Sequence, residues 1–122
     1  MFFRPRTDFS NGGIMEQLTI WEKNGANYVL LELTGVIDSY TATEFQSKVY
    51  DYIKTTNLVL DLENVTGIDS TGMGIIMACH NDGEDFGHKL YLMNMSNAVR
   101  EAVDDTGFTD TFHIIRSVTE VH

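Results

Sequence analysis

Ser70 stands in the segment Asp61-Leu-Glu-Asn-Val-Thr-Gly-Ile-Asp69-Ser70-Thr71-Gly72-Met73-Gly74, the part of the chain richest in groups that do chemistry. The apolar run Leu58–Leu62 before it reads as a strand, and Met73–Cys79 after it reads as a helix whose first turns are buried. The segment is therefore expected to be a turn-rich loop, Glu63–Gly72, leaving the carboxyl end of a strand and entering a helix near Thr71. In open α/β sheets such loops are where sites are built. A helix start leaves its first amides unsatisfied, and its dipole favours an anion. A phosphoryl group placed on the Ser70 hydroxyl would thus meet a favourable environment. On pattern alone a plainer reading stays open, in which Asp69 or Ser70 only caps the helix and Gly72 and Gly74 only permit close packing.

Other residues have chemical potential of lesser weight. Asp61, at the expected strand end, would suit an acylphosphate site of the receiver type. That chemistry also needs paired acidic residues after the first strand and a lysine after the last; a hairpin opens this chain, and Arg116-Ser117 follow the final apolar run. A nucleotide-hydrolysing domain using the Asp61/Asp69-Ser70 loop is the rival enzyme reading, and no P-loop accompanies it. Ile68 stands where a nucleophile elbow needs glycine. Asp105-Thr106-Gly107 matches the aspartic protease tripeptide, but here it closes a helix, so Gly107 reads as a helix stop. His80, Asp82, Glu84 and His88 can be drawn as a metal cluster, yet their spacing implies no ligand geometry. Neither a metal nor a cofactor is expected. Cys79, in an apolar stretch, reads as core. Met73 is expected to anchor a partner beside the serine.

The elements that must hold these groups follow in a regular order. Leu18 and Ile20 alternate, then Asn24-Gly25 precedes Tyr28–Leu33; Asn-Gly tolerates positive φ at both turn positions, so a β-hairpin is expected. Thr41-x-x-Glu44 has the form of a capping box, and Phe45, Val49, Tyr52 and Ile53 recur on one helix face. Lys89–Met93 reads as a strand, Ser96 as the N-cap of a helix through Val103, and Phe112–Arg116 as the last strand. The order β-β-α-β-α-β-α-β predicts an α/β fold, a mixed, mostly parallel sheet flanked by helices and joined by right-handed crossovers. Residues 1–14 read as a flexible tail and residues 15–122 as the domain, because Met1–Gly13 has no periodicity and ends in Ser10-Asn11-Gly12-Gly13.

Composition agrees with one ordinary domain. The 122 residues are 43% hydrophobic and 21% charged, usage typical of a globular protein. One cysteine excludes an internal disulfide. Eight basic against 18 acidic side chains give a net charge of −10, which argues against nucleic-acid or anionic-membrane binding, since both need clustered Lys and Arg. Apolar stretches such as Gly74–Cys79 are far shorter than the ~20 residues of a membrane span, and no apolar run follows Arg4 and Arg6 as a signal peptide requires. A cytoplasmic protein is expected.

Three spaced motifs carry a family resemblance. Ile68-Asp69-Ser70-Thr71-Gly72-Met73-Gly74 resembles the Asp-Ser-[Ser/Thr]-Gly-Leu-Gly motif of STAS-domain anti-sigma factor antagonists, with Met73 where leucine is usual. Leu33-Thr-Gly35-Val-Ile37-Asp38-Ser39-Tyr40-Thr41-Ala42 is similar to the family's Gly-x-[Leu/Ile]-Asp…Thr-Ala segment. Asn97–Arg100 and Thr106-Gly107-Phe108 look like its third helix and exit. The resemblance spans about Gln17 to Ser117. It implies a regulatory binding domain of a bacterial partner-switching pathway. The unphosphorylated form would bind an anti-sigma factor that is also a GHKL-type serine kinase. Phosphorylation of Ser70 would end that binding, and a PP2C-type phosphatase would restore it. The expected partner face joins Asp38, Ser39, Tyr40 and Thr41 to Asp69 through Gly74, with Asn94 and Ser96 completing it, because these loops should cluster at one end of the sheet.

Overall fold

The computed structural model describes residues 2–5 and 17–122. It contains β1 (Phe2–Pro5), β2 (Leu18–Asn24), β3 (Tyr28–Ile37), α1 (Ala42–Ile53), β4 (Asn57–Ile68), α2 (Ser70–Phe86), β5 (Leu90–Met93), α3 (Asn97–Asp105) and β6 (His113–Ile115). Short 3-10 turns at Thr109–Thr111 and Val118–Glu120 flank β6. From Leu18 onward the expected order of elements holds. The six strands lie in chain order across one sheet, antiparallel from β1 to β3 and parallel from β3 to β6.

That order decides where the helices go. Each crossover adds a strand on the same side of the last, so connections of one hand bring every helix to one face. Phe45, Val49 and Ile53 of α1, Met73, Ile76 and Cys79 of α2, and Val99 and Val103 of α3 share one buried cluster with Leu31, Leu33, Leu58, Leu60 and Leu62. The alternate residues Leu30, Val59, Tyr91 and Met93 face the other way, where Val118 and Val121 pack on them. The period of two in a strand separates the two layers.

Three local expectations are corrected. Phe2–Pro5 is not without structure: its backbone pairs with Thr19–Glu22 of β2. Four residues have no readable periodicity, and the free edge of β2 acts as the template; the proline is tolerated because the new strand is itself an edge. The rest of the proposed tail lies outside the described residues. Second, the Asn24-Gly25 hairpin forms without positive φ at either residue. At Gly25 a Cβ would lie 2.2 Å from the Tyr28 ring, which packs over the turn where that side chain is missing, and the Gly25 N–H donates to the Tyr28 carbonyl at 2.8 Å. Third, β4 runs on to Ile68, so most of the expected loop is strand, bulged where it pairs with β3.

At the far edge, β6 carries a histidine pair. The rings of His80 on α2 and His113 on β6 have centroids 5.8 Å apart, and Tyr91 and Phe112 lean on them at 5.7 Å. Desolvation, then the His80 and Lys89 charges, lowers the His113 pKa below 6.5, with Glu84 opposing. A depressed histidine lets the unfolded chain take the proton first, so this contribution to stability is complete above 6.5 and is lost as pH falls below it. Urea midpoints for the chain and for His113→Gln should diverge less at about pH 5.5 than at about pH 7.5. An unchanged difference would remove His113 from the pH response.

Candidate switch site at the start of helix α2

Strands β3 and β4 are parallel with Ile37 opposite Ile68, so the two chains leave the sheet side by side, at Asp38 and Asp69. The Asp69 N–H donates to the Ile37 carbonyl at 3.2 Å and ties the two exits together. From Asp38 the chain makes a tight turn. Asp38 Oδ1 accepts from the N–H groups of Tyr40, at 2.9 Å, and Thr41, at 3.2 Å. The Thr41 hydroxyl accepts from the Asp38 N–H and donates to the Val36 carbonyl, each at 3.0 Å. Thr41 is 3% exposed, and its side chain makes no cap bond to α1. The expected capping box is therefore absent, because Thr41 spends its hydroxyl on closing the preceding turn. The turn pushes Ser39 and Tyr40 outward, and Tyr40 is 66% exposed.

From Asp69 the chain enters α2 directly. Asp69 is the N-cap, its Oδ1 accepting from the Gly72 N–H at 3.0 Å. Ser70 is thus the first helical residue, one position earlier than the sequence suggests. Ser70, Thr71 and Gly74 are exposed, and among the described residues no hydrogen bond engages the Ser70 or Thr71 hydroxyl. The N–H groups of Ser70 and Thr71, lacking carbonyls a turn earlier, are open to a ligand. Among the described residues, the ion pairs are Lys23–Glu32, Lys48–Glu22 and Lys54–Asp51, and none of them involves Asp38 or Asp69.

Besides Thr41, two further members of the expected partner face lie beneath it. Met73 is 6% exposed and belongs to the core cluster. Gly72 is buried against Ile37 and Ile68. Met73, Ile76 and Cys79 recur at i, i+3 and i+6, which signals an inward-facing stripe; that signal was available in the sequence and outweighs proximity to Ser70. The Asn94–Ser96 loop lies elsewhere along β4. Met93 pairs with Asp61, and the Ser96 N–H donates to the Leu62 carbonyl at 3.2 Å. Ile68 is six residues farther along, up to about 20 Å of extended strand. Ser96 does cap α3, accepting from the Val99 N–H at 3.2 Å, and Asn94 is exposed with φ of 55°.

The rival groups do not assemble with Ser70. Asp61 is inside β4, with Oδ1 accepting from the Glu63 N–H at 3.2 Å. His88 Nδ1 lies 2.7 Å from the Ile53 carbonyl oxygen, while His80 meets the Phe112 ring edge-on, so these two point to different places. Among the described residues, no helix is long and apolar enough to cross a membrane.

Asp69→Ala should lower stability by about 1 kcal/mol, the usual value of an N-cap side chain. Thr71→Ala should leave it within about 0.5 kcal/mol of the parent, because Thr71 caps nothing. Chemical denaturation of both variants checks the assignment, and a larger loss for Thr71→Ala would reverse it.

A paired-strand exit that presents an exposed Asp-Ser-Thr at a helix start defines a class of domain. Residues 17–121 match the STAS domain family, and the chain belongs to it. Over 86 residues it is 26% identical to the anti-sigma-B factor antagonist of Staphylococcus aureus, covering 69% of this chain and 80% of that protein. An anti-sigma factor antagonist from Mycobacterium paratuberculosis superposes with a TM-score of 0.70 at 22% identity, covering 84% of this chain and 89% of that one. The Bacillus cell fate determinant SpoIIAA in its phosphorylated form gives 0.66 at 18% identity, covering 83% and 93%.

Proposed function

We propose that the chain is an anti-sigma factor antagonist, a binding protein and not an enzyme, switched by phosphorylation of Ser70. The observation that carries this reading is the exposed, unbonded Ser70 hydroxyl at the first position of α2, beside the outward turn Asp38–Thr41. In the unphosphorylated state Ser39, Tyr40, Asp69, Ser70, Thr71 and Gly74 form a low surface against which an anti-sigma factor docks. Tyr40 supplies the aromatic anchor that such interfaces favour. Asp38, Thr41, Gly72 and Met73 hold that surface in place from below. The Asn94–Ser96 loop is an outlying contact, reached only by a partner wide enough to follow β4.

The anti-sigma factor is expected to be a serine kinase of the GHKL type, and a PP2C-type phosphatase to remove the phosphate, in the cytoplasm of a bacterium. Likeness to relatives named anti-sigma-B factor antagonists supports the pathway. A fold shared with SpoIIAA in its phosphorylated form supports a switch that keeps the architecture. Paired baits, Ser70→Ala and Ser70→Glu, in a pull-down from the native cell test the proposal. Ser70→Ala should retain a kinase-like anti-sigma factor that Ser70→Glu loses. Equal capture by both baits would refute control through Ser70.

A further inference from the structure

Helices α1 and α2 leave between them a groove of about 360 Å³, within the roughly 300–1,000 Å³ range of small-molecule sites. Its floor is apolar. Val49, Ile75 and Cys79 are buried there, with the exposed Ala78 and Tyr50 forming the sides. Burial, and secondarily the Asp82 charge, pushes the Cys79 thiol up to about 12, so the floor stays neutral and unreactive.

Three polar side chains stand at the rim: Gln46, Ser47 and Asp82. None of them has a hydrogen bond or ion pair within the described residues. Asp82 is half-buried and supplies the one formal charge among the lining residues. Lys54, at the end of α1, is engaged elsewhere: its Nζ sits 4.5 Å from the Tyr50 ring centroid and 3.9 Å from Asp51. An unpaired carboxylate over an apolar floor complements a ligand with an apolar body and a positive end. The same carboxylate repels an anion.

We propose that the α1–α2 groove binds a small amphipathic amine, its hydrocarbon body on Val49, Ile75 and Cys79 and its ammonium group at Asp82. The Gln46 amide and the Ser47 hydroxyl then accept the remaining ammonium protons. This site is separate from Ser70 and does not depend on the switch reading.

Titration of the full chain with n-hexylamine at neutral pH, followed by backbone amide shifts, tests it, with hexanoate as the control of opposite charge. The amides of Ala78, Cys79 and Asp82 should move and saturate in the millimolar range. Hexanoate should bind roughly fivefold more weakly or worse. Asp82→Asn should erase that preference, and Ala78→Phe, which fills the groove from an exposed helix position, should abolish the shifts. Should Ala78→Phe fail to fold, Asp82→Asn carries the test, since its carboxylate holds no bond in the structure. Shifts that do not saturate, that centre on other residues, or that are equal for amine and carboxylate overturn the proposal.

Discussion

Gly72→Ala should lower the unfolding free energy by about 2–3 kcal/mol, whereas Gly74→Ala, two residues on, should raise it by about 0.5–1 kcal/mol. The contrast comes from what each added methyl meets. At Gly72 a Cβ would lie 2.7 Å from Ile68 Cγ1, 2.8 Å from Ile37 Cγ2 and 2.9 Å from the Ile37 carbonyl oxygen. The last of these is backbone and cannot rotate away. The Ile37 carbonyl also accepts the Asp69 N–H, so relieving the clash opens the junction between the two strand exits. At Gly74 a Cβ meets nothing within 4 Å. Helix formation there is simply more favourable for alanine, which loses less backbone entropy.

The pair of glycines also separates stability from binding. Gly74 is exposed one turn after Ser70, on the surface proposed for the partner. Gly74→Ala should therefore weaken anti-sigma factor binding while stabilising the free domain, and Gly74→Arg should weaken it more. Thermal melts and a binding titration on the same samples distinguish the two effects. A Gly72→Ala protein as stable as the parent would contradict the packing at this junction.

Phosphorylation of Ser70 should reduce anti-sigma factor affinity by about 100-fold or more and leave the fold nearly unchanged. A phosphate adds about −1.5 to −2 charges at a single exposed point. Locally it is tolerated: the N–H groups of Ser70 and Thr71 are free, and the helix dipole favours an anion. The tolerance is partial, since the Asp69 carboxylate already occupies the cap and no Lys or Arg among the described residues pairs there. Burying such a charge against a surface shaped for a serine hydroxyl costs several kcal/mol, and about 2.7 kcal/mol already equals 100-fold.

Mass spectrometry of kinase-treated protein should find the phosphate on Ser70. Thr71→Ala should keep incorporation, and Ser70→Ala should lose it while still binding the partner. Ser70→Glu should weaken binding less than the phosphate does, because it mimics part of the charge. Backbone shifts should stay near Ser70 and spare Leu90–Met93. Phosphate found mainly on Thr71, or a wholesale shift of β5, would each reject the proposed mechanism.

Much of this domain is legible in its sequence. The alternation of Leu58, Leu60 and Leu62 against Val59, and the spacing of Phe45, Val49 and Ile53, are local rules of strand and helix, and both sets are buried as their period demands. The same holds for the Ser96 cap, whose partner is three residues away. Position Ser70 was singled out by motif and by the helix that follows it. Much of what failed depended on residues distant in sequence. The extension of β4 to Ile68 exists because β3 offers a long partner edge, and β1 exists because β2 does. Two misses were local: Met73 lies on the inward stripe of its own helix, and the Thr41 hydroxyl serves Val36, five residues back, because the tight turn brings that carbonyl within reach. Whether Asn94 stands beside Ser70 depended on how far β4 outruns β5, a matter of sheet register that one strand's sequence does not contain. Most local chemistry was therefore settled by the sequence. Adjacency, which decides what a partner can touch at once, came only from the pairing of strands.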